Sequence, residues 1–208
     1  AHPKLVIGYS DITALSWALA AKAQLPSISG SMVAADFGDP RATTDNLKQA
    51  VDVWLSGRFR ISIPRIELES SPTALEGRLY PATLSVAAKL IGTPYLPDLS
   101  GSLLLIEDIG EPSRKLDGYL QQVVLAGQFH NIQALLLGDF DGRAEADGAD
   151  YPSDVFLGGL PPTEQVVRIP GWPYGHIPDK RSFPVGLPVR LFADGSNWVL
   201  ESVHSLYH

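Results

Sequence analysis

The sequence contains no cysteine. This absence excludes a disulfide framework, a thiol nucleophile and a cysteine-ligated zinc, and it fits a cytoplasmic protein. There is no cluster of Lys and Arg, and the formal net charge is −7, so the charge pattern marks no nucleic-acid partner. No apolar run approaches the length that crosses a bilayer. The apolar stretch after Lys4 is too short for a signal peptide, and no membrane partner is expected. An initiating Met is also missing: the chain starts Ala1-His2-Pro3-Lys4 and enters an apolar run at once. What is present is globular in composition, 208 residues with 45% hydrophobic and 19% charged. A chain of that length buries most of its apolar surface without covalent staples.

Leu5-Val6-Ile7-Gly8 reads as a buried strand, and Ile12, Leu15 and Leu19 follow at helical spacing, so the chain opens as strand, sharp turn and helix. A second helix is predicted over 45–54, with Leu47, Ala50, Val51 and Trp54 on its apolar face, Thr43 or Thr44 as cap and Gly57 as terminator. Phe59, Ile61 and Ile63 alternate with Arg60 and Ser62, as in a half-exposed strand stopped by Pro64. Residues 67–73 are polar and aperiodic. The stretch 67–75 is therefore read as a linker between an N-terminal part, residues 1–66, and a C-terminal domain, residues 76–208. In the second part, Leu84, Ala87, Ala88 and Ile91 mark a helix, 101–106 a strand ending at Glu107-Asp108, Leu116 to Val124 a helix closed by Gly127, and 134–138 a strand ending at Asp139. Beyond Gly142, Gly, Pro and Asp predominate. Loops are expected there until a final pair, 189–192 and 198–203, joined by a hairpin turn at Asp194-Gly195. Strands alternating with helices imply an α/β fold: the end of an N-terminal parallel-sheet domain followed by a C-terminal α/β domain.

In open parallel sheets, ligands sit beyond the carboxyl ends of the strands. Three expected strands end there in polar groups: Ser10-Asp11, Glu107-Asp108, and Asp139 with Asp141. Ser10 stands where a strand turns into a helix. Such a turn pushes a hydroxyl outward and aims the N–H of the next residue, Asp11, at a developing oxyanion. Gly8 relieves crowding before it. The second Gly of the usual nucleophile elbow is absent, and a helix N-cap at Ser10 or Asp11 fits the same pattern. A serine nucleophile needs a base, and the base an orienting acid. Of five histidines, His2 is at the start, His204 and His208 at the end, and His130 follows a helix. His176 lies in Gly171-Trp172-Pro173-Tyr174-Gly175-His176-Ile177-Pro178, a loop stiffened by prolines. Such a loop either holds the histidine over a site or leaves it bonded to a carbonyl, and Trp172 and Tyr174 either wall a substrate pocket or pack the loop. Glu107 ends a buried strand, where an unpaired carboxylate is costly, so it reaches a partner or points out beyond the strand end.

Together these segments resemble the serine LD-carboxypeptidases, a family that includes muramoyl-tetrapeptide carboxypeptidases and microcin-immunity peptidases. The resemblance rests on the run from Lys4 through Gly8-Tyr9-Ser10-Asp11 to Leu15, on Gly92-Thr93-Pro94-Tyr95, and on Pro97-Asp98-Leu99-Ser100-Gly101 leading to Leu105-Ile106-Glu107-Asp108. Ala126-Gly127-Gln128-Phe129, Leu137-Gly138-Asp139-Phe140, and Gly175-His176 followed by Pro184-Val185-Gly186 complete it. It implies a Ser10–His176–Glu107 triad, no metal and no cofactor, a site in a cleft between two domains, and cleavage of the amide before a terminal D-amino acid in a murein peptide. It also implies further chain ahead of Ala1, with a Gly-rich loop carrying the second oxyanion donor. A separate N-terminal fragment of the same precursor is the expected partner, without which residues 1–208 are inactive or poorly soluble. Two motifs depart from the family. Tyr80-Pro81-Ala82-Thr83 stands where a Gly-Gly-Asn turn is usual, which affects substrate contacts, and Asp117-Gly118 replaces an Asp-Arg pair, which bears on packing or a homodimer contact.

Three functional readings compete. The first is murein recycling through removal of a terminal D-alanine, with microcin-type amide hydrolysis as its variant on the same triad. The second is a metal-assisted phosphohydrolase with Glu107, Asp108, Asp139 and Asp141 as hard oxygen ligands, which leaves Ser10 and His176 without roles. The third is a non-catalytic binding module.

Overall fold

Leu103, Leu104, Leu105 and Ile106 are each almost completely buried, as expected of a strand covered on both faces. They form the centre of β5 (Leu103–Asp108) in a computed structural model that describes residues 4–66, 74–128, 130–140 and 166–207. The expected linker, apart from its last two residues, and Asp141 lie outside the described residues. Beside β5 run β4 (Ala74–Thr83) and β6 (Ala134–Phe140), both parallel to it, and β7 (Val167–Ile169) continues the parallel set. The other half of this sheet is antiparallel. The hairpin of β9 (Pro188–Asp194) and β10 (Asn197–Ser202) joins β4 through β9, and β3 (Arg60–Pro64) closes the edge, giving the order β3-β10-β9-β4-β5-β6-β7. Within this sheet, parallel pairing among the described residues runs from β4 to β7.

A second sheet has three strands: β1 (Ile7–Gly8) on the outside, parallel to β2 (Ser27–Ser29), and β8 (Phe183–Val185), antiparallel on the far side of β2. Each sheet takes strands from both sides of the expected linker, since β3 bonds to β10 and β8 to β2. The segments β2, β7 and β8 are three residues each, too short to give a period of their own.

α4 (Leu84–Lys89) and α5 (Ser113–Leu125) cover one face of the larger sheet, where Leu84, Ala87, Ala88, Leu116, Leu120 and Val123 pack on Leu104 and Ile106. Leu103 and Leu105 face the other way, into a core with Ile28, Trp172, Tyr174 and Phe183. The remaining helices are α1 (Ile12–Ala23), α2 (Val33–Asp36) and α3 (Thr44–Ser56). Thr43 caps α3 by accepting from the Asn46 N–H, and Gly57 ends it at φ 66°, as the spacing predicts. The buried faces differ from expectation. α1 buries Thr13, Ser16 and Trp17 and leaves Leu15 48% exposed. α3 buries Asn46, Ala50 and Val53. In both, polar anchors select the face: Thr13 Oγ1 accepts from the Thr83 N–H, Trp17 Nε1 donates to the Pro81 carbonyl, and Asn46 Nδ2 donates to the Pro178 carbonyl. Among the described residues, no helix is long and apolar enough to cross a membrane.

β4 runs through Tyr80-Pro81-Ala82-Thr83, a stretch with a proline that argues against a central strand. The conflict is resolved by direction. The N–H and C=O of a strand residue point the same way, and the Pro81 carbonyl is taken by Trp17 rather than β5. The missing N–H therefore lies on the side that β9, whose pairing with β4 ends at Arg78, no longer covers.

Candidate active site

Ser10 follows β1 and precedes α1 with φ 63°, one of two non-glycine residues at positive φ among those described. An L-residue pays roughly 1–2 kcal/mol to sit in this region, and such outliers persist where the surroundings over-determine them, often at functional sites. The tightness is visible at Gly8, where a Cβ would lie 2.7 Å from Ile12 Cγ1. Neither candidate cap behaves as one: Asp11 makes no side-chain bond to the helix, and no hydrogen bond of the Ser10 hydroxyl occurs among the described residues. A Ser10–His176 hydrogen bond is accordingly not formed here.

Side-chain alternation along β5 decides where the two carboxylates go. Glu107 shares the face of Leu103 and Leu105 and meets the loop after β7; Asp108 shares the face of Leu104 and Ile106 and meets α4. Glu107 is 1% exposed, with Oε2 at 2.8 Å from His176 Nδ1 and Oε1 accepting from the Thr83 hydroxyl. An ionised carboxylate only accepts, so this contact selects the tautomer protonated at Nδ1 and leaves Nε2 as the free lone pair. Asp108 Oδ2 accepts from the Ser85 N–H and Oδ1 from the Ile109 N–H. Its carboxyl is held above the usual range, burial being the main cause, with the two backbone bonds opposing it. Asp108 therefore caps α4 and is not available to His176.

The loop carrying His176 is tied to β6. The Asp139 N–H donates to the Tyr174 carbonyl and the Trp172 N–H to the Leu137 carbonyl. Gly138 permits this approach, since a Cβ there would be 2.4 Å from the Tyr174 oxygen. Gly175 does the same at the site itself: at φ 132°, its Cβ would meet Glu107 Oε2 at 3.2 Å. Trp172 and Tyr174 are 2% and 1% exposed. Tyr174 bonds Ser29 Oγ through its hydroxyl and packs edge-on against Phe183. Both residues hold the loop from within the core instead of forming an open pocket wall.

The sequence reasoning missed Thr83, Tyr9 and Lys180. The Tyr9 ring stands edge-on to His176 at 5.1 Å between centroids, and Lys180 lies over its face at 4.6 Å. The position of Tyr9 next to Ser10 was one available signal, and the departure of Tyr80-Pro81-Ala82-Thr83 from the family motif was another, although it did not give Thr83 its role beside Glu107; Lys180 carries none without knowledge of what it touches. Among the described residues, no group of three or more His, Asp or Glu is arranged to hold a metal. Glu107 and Asp108 diverge, and Asp141 is outside the described residues. An open polar cleft of about 520 Å³ lies at the far end of α1, lined by Gln24, Arg78, Tyr80 and Asp98 among others. None of its lining residues belongs to this site.

A mixed α/β fold with a strained serine at a strand–helix turn, and a buried carboxylate bonded to a histidine, is the class of arrangement on which serine hydrolases are built. Comparison with known proteins narrows it. Residues 76–191 match the LD-carboxypeptidase C-terminal domain and residues 1–30 the LD-carboxypeptidase N-terminal domain. The chain belongs to the LD-carboxypeptidase family. It is 33% identical over 145 residues to a probable murein peptide carboxypeptidase of Bacillus subtilis, covering 67% of this chain and 44% of that protein. It is 24% identical over 225 residues to the microcin C7 self-immunity protein of Escherichia coli, covering 95% and 65%. The solved structure of muramoyltetrapeptide carboxypeptidase from Oxalobacter formigenes superposes with a TM-score of 0.83 at 28% identity, covering 97% of this chain and 70% of that one. The chain thus spans 44% and 65% of the length of the two curated relatives, less than two thirds of each.

Proposed function

We propose that this chain carries the triad of a serine LD-carboxypeptidase that removes the terminal D-alanine from murein tetrapeptides in cytoplasmic cell-wall recycling. The observation that carries the reading is the 2.8 Å contact between His176 Nδ1 and the buried Glu107, together with the positive φ of Ser10. Ser10 Oγ attacks the carbonyl carbon of the amide before D-alanine, and His176 Nε2 takes its proton. The Asp11 N–H, at the positive end of α1, meets the oxyanion. Glu107 stabilises the imidazolium and fixes its orientation. His176 then returns the proton to the departing D-alanine amine, leaving an ester on Ser10. Water, activated by the same histidine, hydrolyses that ester and restores the hydroxyl.

Amide hydrolysis of the microcin-immunity type uses the same three residues on another substrate, and the likeness to the Escherichia coli self-immunity protein supports it as the second reading. The test is release of D-alanine from a murein tetrapeptide by the intact protein. Ser10→Ala is expected to lower turnover by on the order of 10⁴ to 10⁶, and Glu107→Ala by less. Turnover retained in Ser10→Ala refutes covalent catalysis by this residue.

A further inference from the structure

Lys180 and Asp36 form an ion pair whose side chains are 4% and 5% exposed. Removing two charges from water is expensive, and replacing such a pair by apolar residues is often neutral or stabilising. Stability is therefore a weak reason for finding one here. Nor is it needed to dock the loop after His176, which is already pinned to α3. Asn46 Nδ2 donates to the Pro178 carbonyl at 2.8 Å, Arg181 Nη1 to the Asp45 carbonyl at 2.9 Å, and Gln49 and Ser182 exchange two bonds. What the pair does is hold an ammonium in one place. Asp36 Oδ1 takes the ammonium while Oδ2 accepts from the Met32 N–H at 2.7 Å, so neither carboxylate oxygen is left to turn. The fixed Lys180 Nζ lies 4.6 Å over the Tyr9 ring, within the range of a cation–π contact. The other side of the arrangement is the 75° edge contact of Tyr9 with His176.

We infer that Tyr9, braced by the Lys180–Asp36 pair, is a positioning residue for His176. A single hydrogen bond from Nδ1 to Glu107 leaves the imidazole free to swing about that bond. A ring set against it limits that swing, and under the triad reading this holds Nε2 ready for Ser10, the residue after Tyr9. The inference rests on the triad reading above, and its test separates the two. Tyr9→Phe keeps the ring and is expected to keep kcat and KM within about twofold, whereas Tyr9→Leu loses on the order of 10- to 100-fold in kcat with KM little changed. Lys180→Met shares that loss. The double variant Asp36→Asn/Lys180→Met, which buries no unpaired charge, keeps the wild-type Tm and still shares it. The far-downfield proton resonance of His176 Nδ1–H, read without substrate, broadens in Tyr9→Leu and persists in Tyr9→Phe. Wild-type kcat and an unchanged resonance in folded Tyr9→Leu overturn the inference, as do losses of kcat that merely follow losses of Tm across the series. An active Ser10→Ala would instead overturn the nucleophile assignment and leave the resonance series readable.

Discussion

Ser10 sits at φ 63° with a hydroxyl that makes no hydrogen bond among the described residues, while two residues away Gly8 is crowded by Ile12. Glycine at position 10 would relieve the strain, so the presence of serine points to the hydroxyl as the reason. Gly175 is the reverse case, a position where no side chain fits. Gly175→Ala forces an L-residue to φ 132° and sets a Cβ 3.2 Å from Glu107 Oε2. The expected result is a loss of about 1–3 kcal/mol of stability, read by urea denaturation, with a fall in kcat as the His176–Glu107 contact shifts. Asp108 makes a pH prediction. Burial raises its folded pKa above the unfolded value, so the folded state holds the proton more tightly. Stability then falls as pH rises from the ordinary carboxylate range through the raised value, where the unfolded state ionises first. In Asp108→Asn that slope vanishes from the urea midpoint measured against pH, although the α4 cap is weaker at every pH.

At the scale of elements, each half of the site depends on how a strand end is gripped. β5 delivers Glu107 and Asp108 to opposite faces, and the Thr83 hydroxyl at the end of β4 holds Glu107 from the neighbouring strand. The His176 loop is gripped from two directions, by β6 through Gly138 and by α3 through its capping residue. Thr43 accepts from the Asn46 N–H at 3.2 Å and donates to Asp179 Oδ1, in the loop after His176. Thr43→Ala is expected to cost about 1 kcal/mol in a denaturation midpoint, as for other N-cap deletions, and Thr43→Ser to restore it. The predicted strands and helices that matched are those with a continuous apolar run or a clear period: β1, α1, α3, β3, α4, β5, α5, β6 and the hairpin of β9 and β10. The strands that no prediction covered include β4, masked by Pro81, and β2, β7 and β8, which exist because a neighbour supplies hydrogen bonds rather than because their own residues demand a strand.

At the scale of the molecule, the candidate site is assembled across both sheets. Ser10 leaves the three-stranded sheet and Glu107 the seven-stranded one, while His176 lies between β7 and β8, one in each. Links such as Thr13 to Thr83 and Trp17 to Pro81 tie the nucleophile helix α1 to β4. The divergence of Glu107 and Asp108 leaves no carboxylate cluster at the strand ends among the described residues. Under the proposed triad chemistry, a chelator is expected to leave turnover unchanged. A loss of more than about tenfold that added zinc restores would shift the reading to metal-assisted chemistry.

The sequence by itself determined what is local. Continuous apolar runs ending in polar groups located β5 and β6, glycines at Gly57 and Gly127 ended helices, and a serine between strand and helix marked Ser10. These follow from backbone sterics and from side-chain period, which act over a few residues. The pairing of Glu107 with a histidine 69 positions away came from the resemblance and not from any local pattern, while the pairing of Lys180 with Asp36 144 positions back, and the burial of Trp172 and Tyr174 in the core, were visible only in the folded chain. Burial and hydrogen bonding between distant residues depend on which faces the sheets turn toward each other, and no local period carries that information.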